Sequence, residues 1–256
     1  MSMGGNRWHV IAESNFPWER EALEWLRAQL PDRDPWNVWT NFEFIDDDGK
    51  ISEVDALVLS SAGLFLVEIK SRPGTVDGDA HTWTWTTDGR EYTYDNPLLL
   101  ANRKAKRLAG LLRRQSAITK AKIRLPFVEP AIFLSSTTLK SRLEGMAKTA
   151  TFLRGQPNSL SDDGIVRALT NGINANPAHT VDGQQARAIA RGLAEAGIRP
   201  SNKHRQVGDY KLIKLIAEGE GFQDWKSQHV SLETVQRRIR IYTVANASSP
   251  EARASR

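Results

Sequence analysis

The chain is predicted to be an α/β protein: a mixed sheet flanked by helices, then a helical linker and a short carboxy-terminal β appendage. Three observations predict this. Apolar, strand-like runs (NVWTNFEFI and EVDALVLSSAGLFLVEIK) lie close together between two segments of helical period. LPFVEPAIFLSS reads as a further buried strand beyond the second helix. After residue 206 the pattern turns to strands alone.

The elements follow in order. NFPWEREALEWLRAQLPDRDP is an amphipathic helix, with Ala22, Leu23, Leu26 and Leu30 at helical spacing. Asn15 or Ser14 can cap it, Pro17 suits its first turn, and the segment Pro31 to Pro35 stops it. NVWTNFEFI is a strand and DDDGK a turn. Residues 53–70 are two strands, and HTWTWTTDGREYTYDNP is a second hairpin turning at Asp88-Gly89. Its Trp83 and Trp85 suit either base stacking or core packing. PLLLANRKAKRLAGLLRRQ is a helix for which Asn96 is the natural cap. LPFVEPAIFLSS and TATFL are strands, SDDGIVRALTNGI and DGQQARAIARGLAEAGI helices, and RPSNKHRQ a connection. GDYKLIKLIAEGEGFQDWKSQHVSLETVQRRIRIYTVA reads as three strands, and residues 248–256 as a disordered tail.

Composition narrows the function classes. There is no cysteine, which excludes disulfides and thiolate metal sites. No stretch has the length of a membrane span and the amino terminus has no signal-like apolar run, so a cytoplasmic protein without a membrane partner is expected. Charge is segregated: residues 1–95 hold 18 Asp/Glu and 8 Lys/Arg, residues 96–256 hold 12 and 27. An acidic site beside a basic surface suits a polyanionic partner, although basic surfaces also serve solubility.

The hairpin of residues 53–70 carries four charges at one end. With Ser60–Gly63 as its loop, Leu59 opposes Leu64, Asp55 opposes Glu68 and Glu53 opposes Lys70. Alternation then puts Glu53, Asp55, Glu68 and Lys70 on one face, and Val54, Ala56, Val58, Phe65, Val67 and Ile69 on the other. Two opposed carboxylates repel, and a divalent cation with oxygen ligands removes that repulsion. Mg2+ or Mn2+ suits Asp55 and Glu68, with Lys70 holding a water or stabilising charge on a phosphate. The plainer reading is a Glu53–Lys70 ion pair at a sheet edge.

Asp55, a hairpin and then Glu68-Ile69-Lys70 resemble the PD-(D/E)XK nuclease core. The wider text WEREALEWLRAQLPD, ISEVDALVLSSAGLFLVEIKSRPG and DNPLLLANRKAKRLAGLL resembles the NERD (nuclease-related) domain, over about residues 15–155. The resemblance implies a PD-(D/E)XK nuclease-like fold and a divalent-metal-dependent nuclease. It implies Asp55 and Glu68 as metal ligands, Lys70 as the catalytic lysine, Glu53 as the acidic residue before the key aspartate, and Glu19 as an accessory ligand. Glu19 alone reads equally as a helix carboxylate favoured by the amino-terminal dipole. Many members carry a glutamine shortly after Asn-Pro, where Leu100 stands here.

Between Asn96 and Leu125 nine cations occur without an acid. Arg103, Lys104, Lys106, Arg107, Arg113 and Arg114 are the expected DNA phosphate contacts; the plainer reading is a solvated helix face. LIAEGEGFQDWKSQHV with RRIRIYTVA resembles the opening strands of a protein-kinase small lobe. Gly219 and Gly221 stand in the glycine-rich loop, Asp224 where a third glycine is expected, and Tyr242 near the place of the nucleotide-binding lysine. No catalytic loop follows, so this stretch is not a working kinase; a small sheet docked on the first domain is the alternative. The order of parts resembles the large kinase of phage-defence systems of the BREX/phage-growth-limitation type. Expected boundaries are 1–158 for the nuclease-like domain, 159–206 for the helical linker, 207–247 for the kinase-like strands and 248–256 for the tail. Three functions are carried forward: a DNA nuclease or nickase in antiviral defence that works with DNA and other defence proteins, a DNA-binding module regulating a downstream kinase, and an interaction scaffold.

Overall fold

The computed structural model describes residues 7–14, 16–46, 49–155, 164–174, 176–201, 206–219, 222–232 and 234–242. Asn15, Gly221 and the expected tail lie outside them. In chain order the elements are β1 (Trp8–Val10), α1 (Pro17–Gln29), β2 (Asn37–Ile45), β3 (Ile51–Ser60), β4 (Gly63–Lys70), β5 (Gly74–Gly78), β6 (Thr82–Thr87), β7 (Arg90–Asp95), α2 (Pro97–Arg113), α3 (Ser116–Ala121), β8 (Val128–Leu134), β9 (Leu139–Ser141), α4 (Gly145–Lys148) and β10 (Thr151–Leu153). There follow α5 (Ile165–Asn171), a 3-10 turn (Pro177–His179), α6 (Gly183–Glu195), β11 (Arg199–Pro200), β12 (Gln206–Val207), β13 (Tyr210–Gly219), β14 (Phe222–His229) and β15 (Gln236–Tyr242).

The main sheet runs β1-β2-β3-β4-β8-β10, with β11 added on β2. It is mixed. β3 is antiparallel to both of its neighbours, β2 and β4, while β1 lies parallel to β2, and β8 parallel to both β4 and β10. β4 and β8 are apolar almost without a break because both of their faces are covered, as parallel strands require. One face packs Leu57, Leu59, Leu64 and Leu66 against Leu108 and Leu112 of α2; the other packs Ala56, Val58, Phe65 and Val67 against Leu23 and Leu26 of α1. This is the mixed sheet flanked by helices that the sequence predicts.

Residues 159–206, expected as a linker, do more than connect. Ile165 and Leu169 of α5 enter the α1-side core, Ile189 and Leu193 of α6 enter the α2-side core, and β11 extends the sheet. The apolar period of α6 needs a partner surface, and the sheet supplies it. A second sheet, β7-β6-β5-β9, forms a wing next to the main sheet. Trp83 and Trp85 are buried there, so their role is packing. Asp88 and Gly89 both have positive φ, 51° and 72°, as a two-residue hairpin turn demands. The carboxy-terminal strands form a third sheet, β12-β13-β14-β15, in which Asp224 is buried between Arg238 and Arg240.

The wing leaves the main sheet through Gly74, four residues after Lys70. Its φ is +99°, and a Cβ there would stand 2.2 Å from the carbonyl oxygen of Thr86. Gly74→Ala is therefore expected to destabilise the chain by about 2–3 kcal/mol, read as a lower urea midpoint.

Candidate functional site

The two strands of the charged hairpin pair Ser60 with Gly63, Leu59 with Leu64 and Leu57 with Leu66, so the loop is Ser61-Ala62 alone. The ladder ends at Ala56–Val67. Beyond it Asp55 turns its carboxylate onto the neighbouring strand, where Oδ2 accepts the Ile69 backbone N–H at 2.8 Å. Asp55 therefore meets the strand beside Glu68 instead of standing opposite it in a regular ladder.

Strict alternation also fails on β3. Val54 packs with Leu57 and Leu59, whereas Ala56 and Val58 belong to the opposite core. The neighbouring strand shows the cause: Asn41 has φ 55°, and the break falls between the Thr40–Ala56 and Phe42–Val54 pairs. A left-handed residue reverses which face the following side chains take. The register of the two strands runs through this break unchanged, and Glu53 stands opposite Glu43, which is ion-paired to Arg199 at 2.7 Å. The β3–β4 ladder stops short of the expected Glu53–Lys70 level.

Glu68 is the centre of the site. Its Oε1 accepts from Lys70 Nζ at 2.9 Å and its Oε2 from Lys104 Nζ at 2.7 Å. Glu68 and Lys104 are each 8% exposed. Burial alone would raise the Glu68 pKa; the charges and hydrogen bonds of Lys104 and Lys70 override it and hold the carboxyl well below the usual carboxylate range. With Asp55, the four side chains carry balanced formal charge.

Lys104 was placed by sequence among the phosphate contacts, and the structure corrects this: its ammonium is spent on Glu68. The signal lay in the helical period. Ala101, Lys104, Ala105, Leu108, Leu111 and Leu112 form the buried stripe of α2, so Lys104 must point inward. Arg107 is half-buried as well, with Nε 3.3 Å from Asp46 Oδ2. Asp46 is a buried carboxylate that sequence reading left in a turn. Arg103, Lys106, Arg113 and Arg114 are exposed and keep the basic face. Asn96 caps α2, accepting from Leu98 N–H at 2.9 Å, and Leu100 is exposed on the same helix.

Glu19 is buried in the first turn of α1, and α1 reaches the exit of β4: Ser71 Oγ lies 3.5 Å from the Trp18 carbonyl oxygen. Ser71 also meets Ser135 at the end of β8. The carboxy-terminal ends of β4 and β8 and the start of α1 thus meet at Ser71, while α2 reaches Glu68 through Lys104.

The site holds two buried carboxylates, Asp55 and Glu68, of the oxygen-donor type that a hard divalent cation takes. It is not a protein cage, since no group of three or more His, Cys, Asp or Glu side chains placed to hold a metal occurs among the described residues. Mg2+ and Mn2+ are the cations that accept one or two carboxylates and keep water in their other positions.

Comparison with known proteins adds a family likeness. Over 255 residues, 99% of the chain, the sequence is 34% identical to "Probable kinase PglW" of Streptomyces coelicolor (strain ATCC BAA-471 / A3(2) / M145). The chain spans about 15% of that relative's length. No solved structure matches the chain. The model of the nuclease-related domain matches residues 14–135, the stretch that holds Glu19, Asp55, Glu68, Lys70 and Lys104. Over residues 14–135, just under half of its length, this chain is thus similar to the nuclease-related (NERD) domain family.

Proposed function

We propose that the chain carries a divalent-metal-dependent DNA nuclease or nickase of a bacterial phage-defence protein, acting in the cytoplasm with other defence proteins. The observation that carries the reading is the convergence of Asp55, Glu68 and Lys70 at the end of β4, inside a nuclease-related domain. Asp55 and Glu68 would hold Mg2+ or Mn2+, which supplies Lewis-acid polarisation of a phosphoryl oxygen and a water of lowered pKa. The remaining work belongs to the chain. The Ile69 N–H fixes the rotamer of Asp55, and Lys104 keeps Glu68 ionised. Lys70 is the more exposed of the two lysines on Glu68 and is the one able to reach a phosphate. Arg103, Lys106, Arg113 and Arg114 give sequence-independent attraction to the DNA backbone. No helix among the described residues is long and apolar enough to cross a membrane.

The test is cleavage of supercoiled, linear and single-stranded DNA with Mg2+ or Mn2+. Conversion of plasmid to nicked or linear form is expected only with metal, and is expected to be lost in Asp55→Ala. Cutting by Asp55→Ala at the wild-type rate would remove the site from the chemistry.

A second reading has its own observation. Both Glu68 oxygens are already neutralised by lysines, so the charge balances without a cation. On that reading the domain is a non-catalytic DNA-binding or sensing module that regulates a downstream kinase, and β12–β15 is the start of the kinase-like part. DNA binding would then persist without metal-dependent cutting.

A further inference from the structure

At the pole of the main sheet opposite Glu68 lies an open cavity of about 800 Å³. Leu64 pairs with Val128 and Glu68 with Ile132. The cavity residue Phe127 is therefore five strand positions from the level of Glu68, about 17 Å along the strands. Arg113, Lys122, Arg124, Phe127, Leu125 and His179 are among its lining. Among the described residues no carboxylate pairs with Arg113, Lys122 or Arg124, all three of which are exposed. Phe127 is 45% exposed, and its ring stacks on His179 at 5.6 Å between centroids.

The aromatic pair is held from below. His179 Nδ1 is 2.6 Å from Oε1 of the buried Glu129, whose Oε2 accepts from Asn174 Nδ2 at 3.2 Å. Glu129 sits in β8 among apolar neighbours and is 1% exposed. A carboxylate there is costly unless partnered, and the partner it has orients the ring beneath Phe127. The result is a rigid, two-ring platform ringed by three cations, a combination suited to a planar group bearing phosphate.

We propose that this cavity binds a nucleotide unit of single-stranded nucleic acid, with a base stacked on Phe127 and its phosphates on Arg113, Lys122 and Arg124. Helix α2 joins the two sites. Lys104 faces Glu68 and Arg113 faces the cavity, with exposed Arg103 and Lys106 on the same helix. The spacing corresponds to about five stacked nucleotides at 3.4 Å each. The cavity would hold a strand away from the carboxylate site whether or not that site cuts.

The test is fluorescence anisotropy of a labelled decathymidylate with the full chain in EDTA, so that no cutting intervenes. Phe127→Ala is expected to weaken binding about tenfold. Phe127→Trp, which retains a stacking face and controls for folding, is expected to bind within about twofold of wild type. Arg124→Gln is expected to weaken binding and to flatten its salt dependence by roughly one counterion. Equal binding by wild type, Phe127→Ala and Arg124→Gln would overturn the proposal, as would a duplex of the same length binding as tightly and ignoring Phe127→Ala. Thymidine monophosphate serves as the second arm. Competition only at concentrations far above the oligonucleotide marks a strand as the ligand; competition at equal concentration, sensitive to Phe127→Ala, marks the free nucleotide in the same site. Plasmid cutting with metal by the Phe127→Ala variant reads the carboxylate site separately, so failure of one site does not pass for failure of the other.

Discussion

Lys70→Ala is expected to lower the rate of metal-dependent DNA cleavage by roughly 10²–10⁴-fold while leaving the chain folded. The two lysines on Glu68 are not equivalent. The Lys70 side chain is 36% exposed and that of Lys104 10%. Removing Lys70 leaves Glu68 paired to Lys104, so the loss of stability should be about 1 kcal/mol or less, as for a partly exposed pair. Removing it also takes away the charge that can approach a phosphate or a water at the open side of the site. Lys70→Arg should recover little activity, because a planar guanidinium does not replace a compact ammonium. The measurements are plasmid nicking with Mn2+ and a urea unfolding curve on the same variant. Wild-type cutting by Lys70→Ala would remove Lys70 from the chemistry and move weight to the DNA-sensing reading.

Lys104→Met should show the opposite profile, with stability lost first, by about 3 kcal/mol. The substitution keeps the length of the side chain within the buried stripe of α2 but deletes one of the two cations that hold Glu68 ionised. Glu68 is then a buried carboxylate ion-paired to Lys70. The double variant Glu68→Gln with Lys104→Met should recover part of the loss, since no buried charge is left.

The same pair predicts an acid dependence. Burial favours the neutral acid, but Lys104 and Lys70 reverse this and depress the folded-state pKa of Glu68 below its ordinary value of 4.5. A group whose folded pKa is depressed contributes stability that is present above the unfolded value and lost as pH falls below it. Wild-type stability should therefore decline from about pH 4.5 downwards, and Lys104→Met should decline less steeply over that range. Urea midpoints measured from pH 7 to pH 3 on both proteins provide the check. Parallel curves would show that the Lys104–Glu68 pair contributes no linkage.

Much of this protein was legible from its sequence by itself. The run NVWTNFEFI is β2 from its first residue to its last, and Asp88-Gly89 is the turn of the β6–β7 hairpin, because apolar period and turn chemistry are local properties. The Leu57–Leu66 and Leu59–Leu64 pairs followed from placing the hairpin loop at Ser60–Gly63. The short strands β1, β5, β9, β11 and β12 were not legible. Strands of two to five residues carry too little pattern, and they exist because a neighbouring strand offers hydrogen bonds. The tertiary structure alone decided three features of the site. The left-handed Asn41 breaks the alternation of β2 and β3, so that Val54 packs with Leu57 and Leu59. Asp55 is fixed by a backbone N–H of the adjacent strand, a contact no spacing rule contains. Lys104, 36 residues from Glu68 in sequence, is its closest cation. Helical period requires Lys104 to face inward; which carboxylate it meets depends on where α2 lies across the sheet, and long-range packing sets that position.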